Sequence, residues 1–445
     1  MREGSLDAPT RHPLAWETEE FYDEAKLDAE MRRVLDICHG CRRCFNLCDS
    51  FPRLFDIVDE SKNGELDTVD SAAFKQVVDA CTLCDMCFLT KCPYVPPHEF
   101  NLDFPHLMLR YRAVEAKKNG VPAADRLIAE TDRNGKIATL IAGAANWALS
   151  CDNKLTRGVA EKIAGIDARA ELPPFAAKTL EALAEDPPPR NAAAPAKARK
   201  AVIYATCYAN FQETNIGVAA LEVLAKNGVE TKVVYPQCCG MPKLEQGLIG
   251  EVAASAKAVA TALTPYIEQG YDVVSLVPSC SLMLKYEWPL IVPHDAAVKS
   301  LAASTFDISE YVVDIARKEG LAEGMAPVTG GVAFHVSCHS RAQNMGQKGA
   351  DLLRLAPGAD VTVVERCSGH GGAWGCKTGN FDVALKVGKP AARQLRDAGK
   401  KYVVSECPLA GLHIDQEIDI MGAEGAKPER LAHPIEILAR AYKGA

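Results

Sequence analysis

Eight of the seventeen cysteines in this 445-residue sequence fall in two compact runs, Cys38-x2-Cys41-x2-Cys44-x3-Cys48 and Cys81-x2-Cys84-x2-Cys87-x4-Cys92-Pro93. Three thiolates at three-residue intervals can reach three corners of one iron-sulfur cube from a single turn of backbone, and the fourth corner takes a cysteine from elsewhere. The chemistry this spacing could do is one-electron transfer. Zinc and disulfides are the competing uses of so many thiols. Zinc takes four ligands in a tetrahedron, usually as two CxxC pairs, which leaves the third cysteine of each run without a role. Disulfide frameworks belong to small secreted domains, and the opening residues MREGSLDAPTRHPLAWETEEFYDEAK lack the apolar core of a signal peptide. The expected compartment is a reducing cytoplasm.

In bacterial two-cluster ferredoxins the fourth cysteine of each run ligates the other cluster. Carried over, that rule assigns Cys38, Cys41, Cys44 and Cys92 to a first [4Fe-4S] cubane and Cys81, Cys84, Cys87 and Cys48 to a second. The first run ends Cys48-Asp49, where ferredoxin runs usually end Cys-Pro. Phe45, Phe88 and Tyr94 lie in or beside the runs, where apolar cover would tune a cluster potential.

The elements that position these thiols read as helices. LDAEMRRVLDI precedes the first run and VDSAAFKQVVDA the second, and about thirty residues separate the runs, far more than in small β-rich ferredoxins. An N-terminal arm (1–33) is thus expected to lead into an all-α two-cluster ferredoxin-like module (34–118). Short helices and a Pro/Ala/charge-rich linker at 185–200 make up a connector (119–200). From 201 onward the pattern becomes β-α-β: strands are expected at 201–206, 231–235 and 271–277, with helices near 213–227 and 247–268, predicting a parallel sheet covered by helices. The same order recurs with strands at 332–337, 361–365 and 402–405 and a helix near 380–399. The fold class is α+β multidomain, ending in two duplicated α/β units (201–325 and 326–445).

The duplication carries cysteines of its own. Cys207, Cys238-Cys239-Gly240 and Cys280 in the first copy are matched by Cys338, Cys367-Ser368-Gly369 and Cys407 in the second, each cysteine following a strand. Loops at the carboxyl ends of parallel strands converge on one crevice, so each copy reads as a metal site. The first has four thiols, enough to close a cluster. The second has three, and is either a site that Cys376, His370, His339 or solvent completes or a degenerate copy kept for structure.

These motifs, with VYPQCCGMP (234–242), VPSCSLMLKYEWP (277–289), HVSCHSRAQNMG (335–346) and RCSGHGGAWG (366–375), resemble the CCG-domain, heterodisulfide reductase-related iron-sulfur proteins. The likeness is greatest to the branch that holds the C subunit of anaerobic glycerol-3-phosphate dehydrogenase and the glycolate oxidase iron-sulfur subunit. The resemblance implies an electron conduit with two cubanes and further clusters in the CCG units, working between a flavoprotein dehydrogenase and quinone, a membrane component or another redox protein. It also implies alternatives: catalytic reduction of a disulfide or thiol adduct by this chain itself, or electron donation to a rubrerythrin-type peroxidase. A non-redox metal scaffold is the remaining class. In the heterodisulfide reductase relative each unit uses five cysteines, C…CC…CxxC. Taken from Cys280 and Cys407, the last positions here are Met283 and Ala410, and Ser368 interrupts the second doublet.

Composition narrows the rest. At 445 residues and 48% hydrophobic content the chain should hold about three domains with real cores. A net charge of −8 supplies no basic field for nucleic acid. No run matches a dinucleotide fingerprint, a phosphate loop or a flavin signature, so a flavin is expected on a partner. No segment reaches the length of a membrane span. The nearest, IATLIAGAANWAL (137–149), reads as a helix packed on a neighbouring domain or as an interfacial helix carrying Trp147 beside Lys154 and Arg157, which would place the protein peripherally on the inner face of the cytoplasmic membrane. Cys151 has no companion at metal spacing and reads as a buried free thiol.

Overall fold

The computed structural model describes residues 8–422 and 427–444, so the start of the N-terminal arm and a short stretch of the last unit lie outside the described residues. Before residue 200 the described elements are helical. The helix Glu24–Cys41 starts at Asp23, whose side chain accepts from the Lys26 N–H, and stops at Arg42 in the left-handed region (φ 52°). That stop decides the first run: Cys38 and Cys41 sit one turn apart on the helix, and the reversal at Arg42 brings the chain back for Cys44. Cys84 is set differently, between Leu83 (φ 49°) and Asp85 (φ 60°). Two non-glycine residues flanking one thiol in this costly region turn its side chain away from the path of a regular helix. The helix Ser50–Asp59 buries Phe51, Leu54, Phe55 and Val58, and Ser50 donates to the Val77 carbonyl (2.7 Å), joining the stretches that follow and precede the two runs.

The second half contains two four-stranded, all-parallel sheets. The first comprises β1 (Lys200–Tyr204), β2 (Glu230–Val234), β3 (Asp272–Ser275) and β4 (Thr305–Asp307), in the order β2-β1-β3-β4. The second comprises β5 (Val332–His335), β6 (Val361–Val364), β7 (Tyr402–Ser405) and β8 (Glu429–Leu431), in the order β6-β5-β7-β8. Tyr204 pairs with Val234 and Ser275, and His335 pairs with Val364 and Ser405, so the two registers correspond. Six strands lie where the hydrophobic runs predict them. The short edge strands β4 and β8 go unpredicted; three residues at a sheet edge carry too little pattern to read.

The connector departs from expectation in two places. The 137–149 stretch is not one helix buried against a domain: it divides at Ile141 into Thr131–Leu140 and Ala142–Leu149, and much of its apolar surface faces outward. Leu140 (85% exposed), Trp147 (66%) and Leu155 (80%) join Ile137, Ile141, Val159 and Ile163 in one run of exposed apolar side chains across three successive helices. The 185–200 linker is irregular, as expected, yet held: Asn191 N–H donates to Ala225 O (2.9 Å) and Arg190 Nε to Gly228 O (2.6 Å), and Ala194 and Ala196 are buried.

The arm is a strap. Leu14 N–H donates to Leu290 O (2.9 Å) and Trp16 Nε1 to Ile291 O (2.8 Å), both in the first α/β unit. Between them and the cysteine module, Arg11 bonds Asp85 (2.8 Å), Asp103 (2.8 Å) and Glu287 (2.9 Å) and lies over the Phe88 ring. Glu287 also accepts from His106 (3.1 Å). Burial and the Arg11 charge oppose a proton on His106, and Asp103 and Glu287 outweigh them, so its pKa is raised.

Candidate metal centres

Cys38, Cys41, Cys44 and Cys92 line one cavity, closed on its other sides by Phe51, Tyr94, Leu102 and the Arg43 side chain. Burial raises the Cys38 pKa, and the neighbouring Cys92, Cys44 and Cys41 raise it further. Four thiolates gathered in an apolar enclosure repel one another unless a cationic core sits among them, so the donor set fits the cubane expected from the sequence. The second set behaves alike. Burial and then Cys84 and Cys81 raise Cys48, and burial and then Cys84, Cys81 and Cys48 raise Cys87. Cys81 is pushed up to about 11 by burial, against the pull of Arg112, whose guanidinium donates to the Val78 carbonyl (2.7 Å) and to that of Cys81. Each run thus lends its fourth cysteine to the other set.

In the first α/β unit, Cys207 follows β1, Cys238 and Cys239 follow β2, and Cys280 lies in the helix Pro278–Leu282 after β3. Cys207 and Cys238 sulfurs are 3.6 Å apart, and the Gly240 N–H donates to Cys238 Sγ (3.4 Å). The hydrogen bond with Cys238 raises Cys207 and lowers Cys238, and Cys239 is raised by Cys238 and Cys280. All four therefore meet. Trp288 Nε1 donates to Cys239 O (3.1 Å) and Tyr204 OH to Gln237 O (2.7 Å), fixing the doublet loop from below. Two further neighbours come from the connector, and no local pattern signals them. Thr131, at the start of its helix, lies beside Cys207 and Cys238 and favours their thiolates, and Asp132 accepts the Cys238 N–H (3.1 Å) and the Tyr235 hydroxyl. A helix N-terminus holding a negative centre is electrostatically apt, but only the fold brings residues so distant together.

In the second unit Cys338, Cys367 and Cys407 are near enough that Cys367 and Cys407 each raise Cys338. The Gly369 N–H donates to Cys367 Sγ (3.4 Å) as Gly240 does to Cys238. Gly369 has φ 74°, and a Cβ there would fall 2.0 Å from Ala384 O, so no other residue fits this turn. The register corrects one expected equivalence. Val277 and Cys407 are the N-caps of their helices, each followed by proline (Pro278, Pro408), so Cys407 matches Val277 and Cys280 matches Ala410. The first copy has lost the earlier thiol of its CxxC and the second copy the later one; Met283 is not the missing position.

Three candidates could complete the second site. Cys376 donates its thiol to Ala373 O (3.2 Å). His339 uses both nitrogens, with Ser279 Oγ (2.7 Å) and Leu83 O (3.4 Å). His370 Nε2 is buried without a hydrogen-bond partner, and burial pushes its pKa down to about 3. Cys151, expected to be buried, is only partly so, its thiol donating to Ala170 O (3.4 Å). Among the described residues no three His, Cys, Asp or Glu side chains are set to hold a single metal ion.

The four sets are linked. Cys44 bears on Cys87, joining the first set to the second. Cys338 forms a hydrogen bond with Cys84 that lowers the Cys84 pKa, and Cys367 raises Cys48, joining the second set to the second α/β unit. Burial raises Cys407 and the charge of Cys280 adds to it, placing the two α/β units' thiols within reach of each other. The thiols form one series, from the first run through the second run and the second α/β unit to the first.

The family description for the cysteine-rich CCG domain matches residues 201–285 and 332–415. The chain is 28% identical over 242 residues to the B subunit of fumarate reductase (CoM/CoB) from Methanothermobacter marburgensis, a stretch covering 53% of this chain and 45% of that protein. It thus spans less than half the length of that relative. It is 24% identical over 320 residues to the C subunit of anaerobic glycerol-3-phosphate dehydrogenase from Escherichia coli (71% of this chain, 76% of that one), and 29% identical over 254 residues to lactate utilization protein A of Geobacillus kaustophilus (54% and 98%).

Proposed function

We propose that this chain, a member of the CCG-domain iron-sulfur proteins, is the electron-transfer subunit of an oxidoreductase, relaying electrons between a flavoprotein dehydrogenase and quinone or another redox partner. The series of thiols within reach of one another's charge, described above, carries this reading. Two [4Fe-4S] cubanes at the runs and clusters in the CCG units would supply reversible one-electron acceptors. The chain's own part is to hold them in sequence, to shield them with Phe51, Tyr94 and Leu102, and to aim the Gly240 and Gly369 amides at ligand sulfur, a lever on potential.

The two ends of the series differ in what surrounds them. Phe45, 60% exposed beside Cys44, marks the first-run end as the side for a soluble redox partner. At the other end, the helix whose first residues touch Cys238 continues into the exposed apolar run bearing Trp147 and Leu155 beside the exposed Lys136, Lys154 and Lys162. Apolar side chains flanked by lysines suit an anionic lipid surface, and we assign this end to the cytoplasmic membrane face. No helix among the described residues is long and apolar enough to cross a membrane.

Iron and sulfide analysis of anaerobically purified protein, with EPR during dithionite reduction, tests the assignment. Two interacting cubane signals plus at least one further centre are expected, together with capture of a flavoprotein. Iron-free or zinc-only folded protein would refute it. Turnover of a small disulfide by the chain with a one-electron donor alone would favour the catalytic alternative.

A further inference from the structure

The second α/β unit has lost thiols and gained imidazoles. By the register, Tyr208 of the first copy corresponds to His339 and Met283 to His413, and by the matching glycine turns, whose approach is one residue shorter in the second copy, Met241 corresponds to His370. Each cysteine-bearing loop of the second copy contributes one of these histidines: His339 directly follows Cys338, His370 lies in the glycine turn after Cys367, and His413 lies in the helix that Cys407 caps. The three are brought together. The His370 and His413 ring centroids are 6.4 Å apart, and charge on His413 or His339 would act on His370. The loop is pressed inward, since a Cβ on Gly371 would meet Thr82 Cγ2 at 2.5 Å, inside the second cysteine run.

Of the side chains able to complete the second site, His339 and Cys376 are already engaged and His413 Nε2, also without a hydrogen bond, faces the Glu417 carboxylate (3.5 Å), whereas His370 Nε2 is buried with neither a hydrogen bond nor an ion pair. A buried polar atom without a partner is costly unless a ligand or metal satisfies it. We propose that His370 Nε2 is a ligand of the metal centre held by Cys338, Cys367 and Cys407, making the second CCG site a mixed cysteine-histidine centre. This rests on the reading that the CCG units hold iron-sulfur clusters. Neutral imidazole in place of thiolate raises a cluster's potential, so the second centre titrates above the all-thiolate first one.

The test uses full-length, anaerobically purified protein labelled with 15N-histidine, reduced stepwise and followed by pulsed EPR. The second centre's signal is identified as the one lost in Cys407→Ala. That signal is expected to show a histidine nitrogen coupling that persists in His339→Ala and disappears in His370→Ala. In His370→Cys the iron is expected to stay, the coupling to vanish and the midpoint to fall. Unchanged cubane signals and circular dichroism in each variant separate ligand loss from misfolding. A second-centre signal without nitrogen coupling, a coupling that survives His370→Ala, or an iron count showing the second site empty overturns the proposal and leaves the relay standing. Absence of every iron-sulfur signal overturns both.

Discussion

The two α/β units share strand order, register and the glycine turn that aims an amide at the first sulfur after the second strand. They differ in what the loops carry. The first unit surrounds four thiols with Tyr204, Tyr235, Trp288 and the connector helix, and the strap fastens it to the cysteine module through Glu287, Leu290 and Ile291. The second has three thiols, three histidines in place of tyrosine and methionine, and direct contact with Cys84 of the second run. A sheet whose buried strands tolerate little change leaves its carboxyl-end loops free to alter donor type, so one fold can hold two centres of different potential.

The sharpest way to break this comparison is Cys280→Ala, which should abolish the first unit's EPR signal while sparing the cubanes and the second unit. Loss of all signals together would show that the units are not separate. Arg11→Ala should come next, because it leaves the buried Asp85 without its cation and Asp103 and Glu287 with His106 alone. Breaking such a network costs about 3–5 kcal/mol, read as a lower urea midpoint for the first unit and module, with the second unit little changed. For the outward apolar face, Trp147→Glu with Leu155→Glu should weaken co-sedimentation with anionic vesicles by at least about tenfold, since each side chain contributes roughly 1.5–3 kcal/mol when fully buried. Equal binding by variant and parent would remove the membrane assignment from this end.

The smallest effect concerns acid. His433, wholly buried in the second unit, has its pKa pushed down to about 3 by burial. A histidine neutral in the fold and protonated when unfolded contributes nothing above pH ~6.5, and below it destabilises by about 1.4 kcal/mol per pH unit until the folded pKa is reached. His433→Asn should therefore flatten the acid side of the stability curve by that slope, measured by urea denaturation at pH 7, 6 and 5. An unchanged slope would mean that His433 does not stay neutral in the fold.

What repeats or alternates locally was legible in the amino-acid pattern. The β7 strand falls at 402–405 as expected and the 247–268 helix appears as Ile249–Glu268; Cys92 lies near Cys38 and Cys48 near Cys84 and Cys81, and their ligation is what the iron analysis and EPR test. What escaped was set by distance or by a shift too small to count. Arg11 finds Glu287 276 positions away, and Thr131 and Asp132 reach Cys238 across more than a hundred. The pairing of Cys407 with Val277 rather than Cys280 depends on which residue caps a helix, a three-residue difference that matching cysteine to cysteine conceals. The exposed face of 137–149 was legible as apolar; that it divides at Ile141 and points outward depends on the helices around it.

The strap also bears on the order in which the molecule is made. Arg11 and the second cysteine run leave the ribosome long before Glu287, Leu290 and Ile291 exist, so the arm cannot close while the first two-thirds of the chain is being synthesised. Until then Asp85, beside Cys84, lacks the full clamp that later seals it. Completion of the first α/β unit is therefore what lets the strap close beside the second cysteine run.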